Sequence, residues 1–214
     1  MAVLENDARF WDRTARKYAA DPIADMGGYE RTLSAARQRL NSSDLALEFG
    51  CGTGTTALRL AAAVERIIAT DLSSEMIAIA REKAAAQGIL NVSFEVGTLA
   101  GGSWPDATFD VVLAFNVLHL VSPLPDVLNA AHRLLRPGGI FISKTPCLKL
   151  MHPAIRALVP VMRLFGQAPS AVAFFTADEL EKAFVAAGFF IEERGWHATR
   201  RGKDSRVFLV ARKP

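Results

Sequence analysis

The sequence is poor in cysteine: 214 residues hold only Cys51 and Cys147. Two cysteines cannot build a disulfide framework, so a small stapled secreted scaffold is excluded and a reducing, cytoplasmic setting is the simpler reading. The four histidines, His119, His132, His152 and His197, are scattered. None has metal-ligand spacing, and no metal centre is expected. No apolar run approaches the length of about 18 residues that a membrane span needs. The opening stretch, "MAVLENDARFWDRTARKY", is charged throughout and lacks the apolar centre of a signal peptide. Neither sign of charge dominates: 25 Lys and Arg face 22 Asp and Glu, for a net charge of +3. That imbalance is too small to imply nucleic acid. No basic stripe with interleaved aromatics is present, and the cluster "TRRGKD" is short. There is no internal repeat and no low-complexity segment.

What is present is apolar residue in quantity. Half the chain is hydrophobic, enough for one domain with an ample core. Residues 5 to 40 read as helical, with a break at "ADPIADMGG", where Asp21-Pro22 and Gly27-Gly28 are turn signals. From Asp44 the rhythm changes. "LALEF" predicts a strand, Thr53 to Ala63 a helix and "RIIAT" a strand ending at Asp71. "SSEMIAIAREKAAAQG" predicts a helix capped by Ser73 or Ser74 and ended by Gly88. "NVSFEV" and "FDVVLAFNVL" predict strands. "LPDVLNAAHRLL" predicts a helix stopped by Pro137-Gly138-Gly139, and "IFISKT" a further strand. Strands apolar on both faces that alternate with helices specify a parallel sheet covered on both sides, the doubly wound α/β fold. Thr176 with Glu179 forms a capping box for "TADELEKAFVAAGF". "FFIEERGW" and "SRVFLVAR" predict an antiparallel closing pair.

The first strand runs into three alternating glycines, Gly50, Gly52 and Gly54. Glycine in a packed segment costs about 1 kcal/mol against alanine, so something must come close to this turn. Ligands of open α/β sheets bind at the carboxyl ends of the strands. Asp71 closes the second strand, where an acid can take both hydroxyls of a ribose. The expected ligand therefore carries a nucleoside. A dinucleotide places its pyrophosphate at the helix N-terminus with glycines spaced G-x-G-x-x-G/A. Here the spacing is G-x-G-x-G, and Glu48 precedes the first glycine. A carboxylate there repels a pyrophosphate and suits an ammonium and a sulfonium.

"ALEFGCGTG", "ATDLSSEMIAIAREKA", "FDVVLAFNVLHLV" and "LLRPGGIFISKTP" resemble, in order, the four successive motifs of class I S-adenosylmethionine-dependent methyltransferases. That group includes quinone-biosynthesis and many other small-molecule methyltransferases. The resemblance covers residues 44 to 145, and "FFTADELEKAFVAAGF" with its following strand carries it to the C-terminus. It implies a Rossmann-like, mostly parallel seven-stranded sheet with an antiparallel last strand. It also implies S-adenosyl-L-methionine as donor and S-adenosyl-L-homocysteine as product. Residues 1–40 are expected to form an N-terminal helical lid, and 41–214 the methyltransferase domain with a substrate-lid insert at about 146–175.

Residue by residue, the resemblance implies that Glu48, Gly50, Gly52 and Gly54 line the methionine part of the donor. Cys51 sits in the same turn, a small residue that fits rather than a nucleophile. Asp71 would hold the ribose hydroxyls and Leu72 would lie on the adenine. Thr98 and Leu99 occupy the loop where the family usually has an Asp, and Thr98 offers only its hydroxyl. Asn116 would border the donor's carboxyl group or its methyl. His119, just past the fourth strand, can act as a base toward the acceptor; the alternative is a histidine that caps the loop or packs on the adenine. In similar methyltransferases the N-terminal segment folds over the donor. Phe10, Trp11, Tyr18 and Tyr29 lie there, with Tyr18 the preferred partner for a sulfonium and Tyr29 a lid residue.

The segment "CLKLMHPAIRALVPVMRLFGQAPSAVAFF" holds no acidic residue. Lys149, Arg156 and Arg163 recur every seven residues and would share a helical face. This reads as an apolar substrate lid with a cationic edge, for a small hydrophobic acceptor, acidic or lipid-like, such as a quinol or phenol, whose anionic or phenolic group Arg156 and Arg163 would meet. A lid helix that solvates its cations, or a peripheral contact with a membrane surface, are the alternatives. A monomer or a homodimer is expected. Two rival functions stay open at this level: a nicotinamide-dependent oxidoreductase, and a cofactor-binding regulator without catalysis.

Overall fold

The computed structural model describes residues 2–150, 168–170, 172–199 and 205–214. Seven strands form one sheet: β1 (Leu45–Phe49), β2 (Arg66–Asp71), β3 (Val92–Val96), β4 (Phe109–Phe115), β5 (Leu135–Pro146), β6 (Phe190–Gly195) and β7 (Arg206–Arg212). Their order across the sheet is β3-β2-β1-β4-β5-β7-β6. β1 to β5 pair in parallel, and β7 runs antiparallel to both neighbours. This is the doubly wound architecture with an antiparallel last strand that the apolar strand pattern predicts.

Helices α1 (Ala2–Ala20), α2 (Met26–Arg37), α3 (Thr55–Leu60), α4 (Ser74–Gln87), α5 (Leu124–Leu134) and α6 (Ala177–Ala186) surround it. Because side chains alternate along a strand, each central strand feeds two cores. Ala46, Ala69, Leu113 and Ile142 point to one face, where Leu33 and Ala36 of α2, Leu58 of α3 and Ile77 of α4 cover them. Leu47, Val112, Phe141 and Leu209 point to the other, under Leu128 of α5 and Phe184 of α6. The two N-terminal helices thus differ. α2 inserts into the main core, whereas α1 lies outside it and packs Ala15, with Trp11 and Ala19, on Met76 and Ile79 of α4.

Capping follows the local sequence. Ser73 is the N-cap of α4 and accepts from the Met76 N–H, and Gly88 ends the helix in the left-handed region. Thr176 and Glu179 form their capping box. Three boundaries depart from expectation. Gly27 and Gly28 do not make a turn but lie in the first turn of α2. A Cβ on Gly28 would sit 2.8 Å from the His197 carbonyl, and one on Gly27 2.6 Å from Thr199; the glycines admit the chain that follows β6. The helix after the glycine turn is shorter than Thr53 to Ala63, passing into a 3₁₀ turn at Ala61–Ala63. α5 stops at Leu134, before Pro137-Gly138-Gly139, because Leu135 already pairs with Phe109 as the start of β5. Most of the expected substrate-lid insert, residues 151–167, lies outside the described residues.

Candidate functional site

The strand order reverses at β1, which has β2 on one side and β4 on the other. A crevice opens above the carboxyl ends at such a point. The glycine turn lies there, with all three glycines at positive φ: Gly50 +64°, Gly52 +54° and Gly54 +72°. The structure divides their reasons. A Cβ on Gly50 would come within 2.2 Å of Val117, and one on Gly54 within 2.7 Å of Phe94. Those two glycines let neighbouring side chains pack. At Gly52 the nearest atom is the Tyr18 ring at 3.9 Å, leaving a space that a side chain would fill. Cys51 is buried and its N–H bonds the Thr70 carbonyl at 3.0 Å.

Two acids flank this turn. Asp71 is 8% exposed; its Oδ2 accepts from the Gly52 N–H and its Oδ1 from the Ser73 N–H, both at 2.9 Å. Burial raises its pKa against the lowering effect of those hydrogen bonds. A carboxylate oxygen has room for a second donor, so Asp71 can still accept from a diol. Glu48 is 2% exposed, and its Oε2 is shielded from solvent without a hydrogen-bond partner. Burial, then the neighbouring charge of Asp71, pushes its pKa up to about 8. An orphaned buried carboxyl oxygen calls for a donor, preferably a cation.

Tyr18 stands half exposed against Gly52. Tyr29 meets Thr56 Oγ1 with its hydroxyl at 3.3 Å, beside the start of α3, and Leu72 is half-buried after Asp71. Thr98 caps the following 3₁₀ turn, its Oγ1 accepting from Gly101 N–H at 3.2 Å, and it borders a cleft of about 290 Å³ together with Thr70, Glu95 and Trp104. Leu99 is 3% exposed and points into the core, not the crevice. Asn116 is exposed at the end of β4 with φ +57°, a conformation that non-glycine residues rarely adopt and that clusters at functional sites. Its N–H bonds the Lys144 carbonyl at 2.7 Å. His119 lies in the 3₁₀ turn Leu118–Leu120. Its Nδ1 is buried without a partner, and desolvation lowers its pKa to about 4. Its carbonyl accepts from the Ala173 N–H at 2.7 Å, which ties the end of the insert to this turn. Arg156 and Arg163 lie outside the described residues.

Sequence reasoning missed several neighbours. Asp12 of α1 accepts from Ser73 Oγ at 2.6 Å and from the Glu75 N–H at 3.1 Å, so α1 helps cap α4 beside Asp71. Lys83 of α4 reaches back to Thr53 Oγ1 at 2.8 Å and Thr55 Oγ1 at 3.2 Å, bracing the glycine turn. An acid on an amphipathic helix and a lysine on another carry no signal of such contacts. No group of His, Cys, Asp and Glu suited to a metal occurs among the described residues. None of the helices among them is long and apolar enough to cross a membrane.

Residues 46–139 match the family described as "Methyltransferase domain". The demethylmenaquinone methyltransferase of Geobacillus stearothermophilus is 31% identical over 176 residues, 72% of this chain and 74% of that protein. The ubiquinone biosynthesis O-methyltransferase of Methylocella silvestris is 33% identical over 145 residues, 66% of this chain and 56% of that protein. A crystal structure of a SAM-dependent methyltransferase from Thermotoga maritima superposes with a TM-score of 0.72 at 20% identity, covering 96% of this chain and 99% of the other.

Proposed function

The chain belongs to the class I S-adenosylmethionine-dependent methyltransferases, and we propose that it moves the donor's methyl group to a small, hydrophobic acceptor of the phenol, quinol or lipid-like kind. The observation that carries the site assignment is the buried acid pair beside the glycine turn, above all the orphaned Oε2 of Glu48. The residues fit S-adenosylmethionine. Glu48 would meet its ammonium, and Asp71 its ribose hydroxyls. Leu72 and Thr98 would border the adenine. The space over Gly52, closed from above by Tyr18, would hold the methionine chain.

When bound, the donor supplies an activated methyl on a sulfonium, so the protein's task is alignment and exclusion of water. Asn116, held in its left-handed conformation by the bond to Lys144, sets the edge at which donor and acceptor meet. His119 is neutral at pH 7, since its pKa lies at about 4. A base so weak would orient an acceptor hydroxyl by accepting its hydrogen bond rather than hold its proton. The outer N-terminal helix, α1, would form the donor-side cover, joined to α4 through Asp12. The described end of the acid-free segment is joined to His119 through Ala173 and to Asp7 of α1 through the Ser170 N–H, contacts that bring it to the acceptor side of the crevice. Apolar acceptors suit the apolar composition of that segment, and of two relatives one is named a demethylmenaquinone methyltransferase and the other a ubiquinone biosynthesis O-methyltransferase. The enzyme would act as a monomer or homodimer, without nucleic acid.

The test uses methyl-labelled donor with naphthoquinols and alkylphenols, and the product is identified by mass spectrometry. Transfer to these acceptors supports the reading; robust transfer to polar amines alone sinks it.

A further inference from the structure

The sheet face under α5 and α6 is left open over the ends of β2 and β3. Ala69 points to the opposite face, so Thr70, next along β2, points to this one. Glu95 pairs with Thr70 across the two strands and shares its face. The crossover from β3 to β4 passes above them, and it holds only the 3₁₀ turn Leu99–Gly101. Between that crossover and the strand ends lies the cleft of about 290 Å³. Its volume sits at the lower limit of small-ligand clefts, about 300 Å³. That is room for one ring system, not for a whole nucleoside with an amino-acid tail.

The walls of the cleft are fixed, and two of its polar groups have no partner. A Cβ on Gly102 would lie 1.9 Å from the Trp104 ring, so the indole rests directly on the loop backbone. The same ring meets Phe109 edge to face, with centroids 5.7 Å apart. Thr98 Oγ1 accepts from the Gly101 N–H, which turns it onto its own loop. Glu95 is exposed and forms no ion pair among the described residues. Thr70 lines the cleft at 1% exposure, and its Oγ1 has no hydrogen-bond partner. A buried hydroxyl left unpaired costs stability, so one in a cleft wall points to a ligand group that pairs with it.

The cleft adjoins the nucleoside position. Thr70 precedes Asp71, and the Gly97 N–H donates to the Asp71 carbonyl at 2.9 Å. One edge of an adenine carries an amino group, which donates, beside a ring nitrogen, which accepts. A carboxylate only accepts, and a hydroxyl does either. We propose that this cleft takes the donor's adenine, that Glu95 accepts from its 6-amino group, and that Thr70 Oγ1 pairs with the ring nitrogen beside it. This rests on reading Asp71 as the acid that holds the ribose. Glu95 then distinguishes adenine from a base with a 6-oxo group, whose oxygen would face the carboxylate and be repelled. Trp104 supplies apolar ring surface that keeps water from the base.

The test compares S-adenosylhomocysteine with S-inosylhomocysteine, its 6-oxo counterpart, by calorimetry on the full chain. The parent should prefer the adenosyl ligand by about tenfold, the low end for a hydrogen bond to a charged group, since Glu95 stays in contact with solvent. Glu95→Ala should erase most of that preference. Glu95→Gln, whose amide can donate to the oxygen, should narrow it. Thr70→Val removes the unpaired hydroxyl with little change of shape. It should melt no lower than the parent without ligand, yet bind S-adenosylhomocysteine several-fold more weakly. The reverse result, a lower melting temperature with unchanged affinity, makes Thr70 structural and overturns the proposal. Equal affinity of the parent for the two ligands overturns it, as does a preference undiminished in Glu95→Ala. A parent that binds neither ligand overturns the donor reading itself, and this proposal with it.

Discussion

Replacing Glu48 with Gln keeps the volume of the side chain and removes its titration. In the folded protein the Glu48 carboxyl holds its proton up to about pH 8, whereas its ordinary pKa is 4.5. Between those values the folded chain binds more protons than the unfolded chain, so stability falls as pH rises through that window. At about 1.4 kcal/mol per unit, the loss accumulated by pH 7 is about 3 kcal/mol. Glu48→Gln has no such loss. In a chain of this length, 1 kcal/mol moves the melting temperature by about 2–4 °C. The ligand-free variant should therefore melt several degrees above the parent at pH 7 to 8 and level with it near pH 5. Its affinity for S-adenosylhomocysteine should fall, because the ammonium loses a charged partner contributing about 1.5–3 kcal/mol. In the parent, binding drives the proton off Glu48, so affinity should rise from pH 6 to pH 8 by up to about tenfold per unit. In the variant that rise should vanish. Paired thermal melts and calorimetric titrations across pH 5 to 8.5 measure both halves. A variant that melts below the parent at pH 8 without ligand, or a parent whose affinity is flat over this range, refutes the reasoning.

The two kinds of glycine should separate under mutation. Gly50→Ala should lower the melting temperature sharply through its clash with Val117, whereas Gly52→Ala should stay folded, at about 1–2 kcal/mol of backbone strain, yet lose S-adenosylhomocysteine in a binding titration. Asp71→Ala should weaken that ligand by about 1.5–3 kcal/mol, and equal affinity would remove the ribose from this position. Asp12→Ala should cost about 1 kcal/mol, the scale of a lost helix cap, and speed amide exchange along α1 and the first turn of α4. Because desolvation holds His119 neutral down to about pH 4, the rate of methyl transfer should show no inflection near pH 6.5 that His119→Gln removes; such an inflection would make His119 a true base.

The sheet and the glycine turn were legible because both are local. Apolar strands, capping residues and alternating glycines announce themselves within a few positions. The motif could not say which glycine serves a ligand, since Val117, from the turn after β4, and Phe94, from β3, reach Gly50 and Gly54 across long sequence separations. The same holds for Gly27 and Gly28, which read as a turn until the chain after β6 is laid against α2. Leu99 looked like part of the crevice by its loop position, but the 3₁₀ turn that Thr98 caps swings it into the core. Asp12 and Lys83 act over separations of 28 residues and more, which no spacing rule encodes.

Transfer of a labelled methyl group to acceptors graded by polarity tests the central claim most directly. The purified full chain, given S-adenosylmethionine labelled on its methyl, would be offered a naphthoquinol and an alkylphenol alongside a polar amine, a protein and an RNA. The proposed function predicts label in the organic extract with the two apolar acceptors and background counts with the other three. Label on the amine, protein or RNA, with none on the apolar pair, would contradict it.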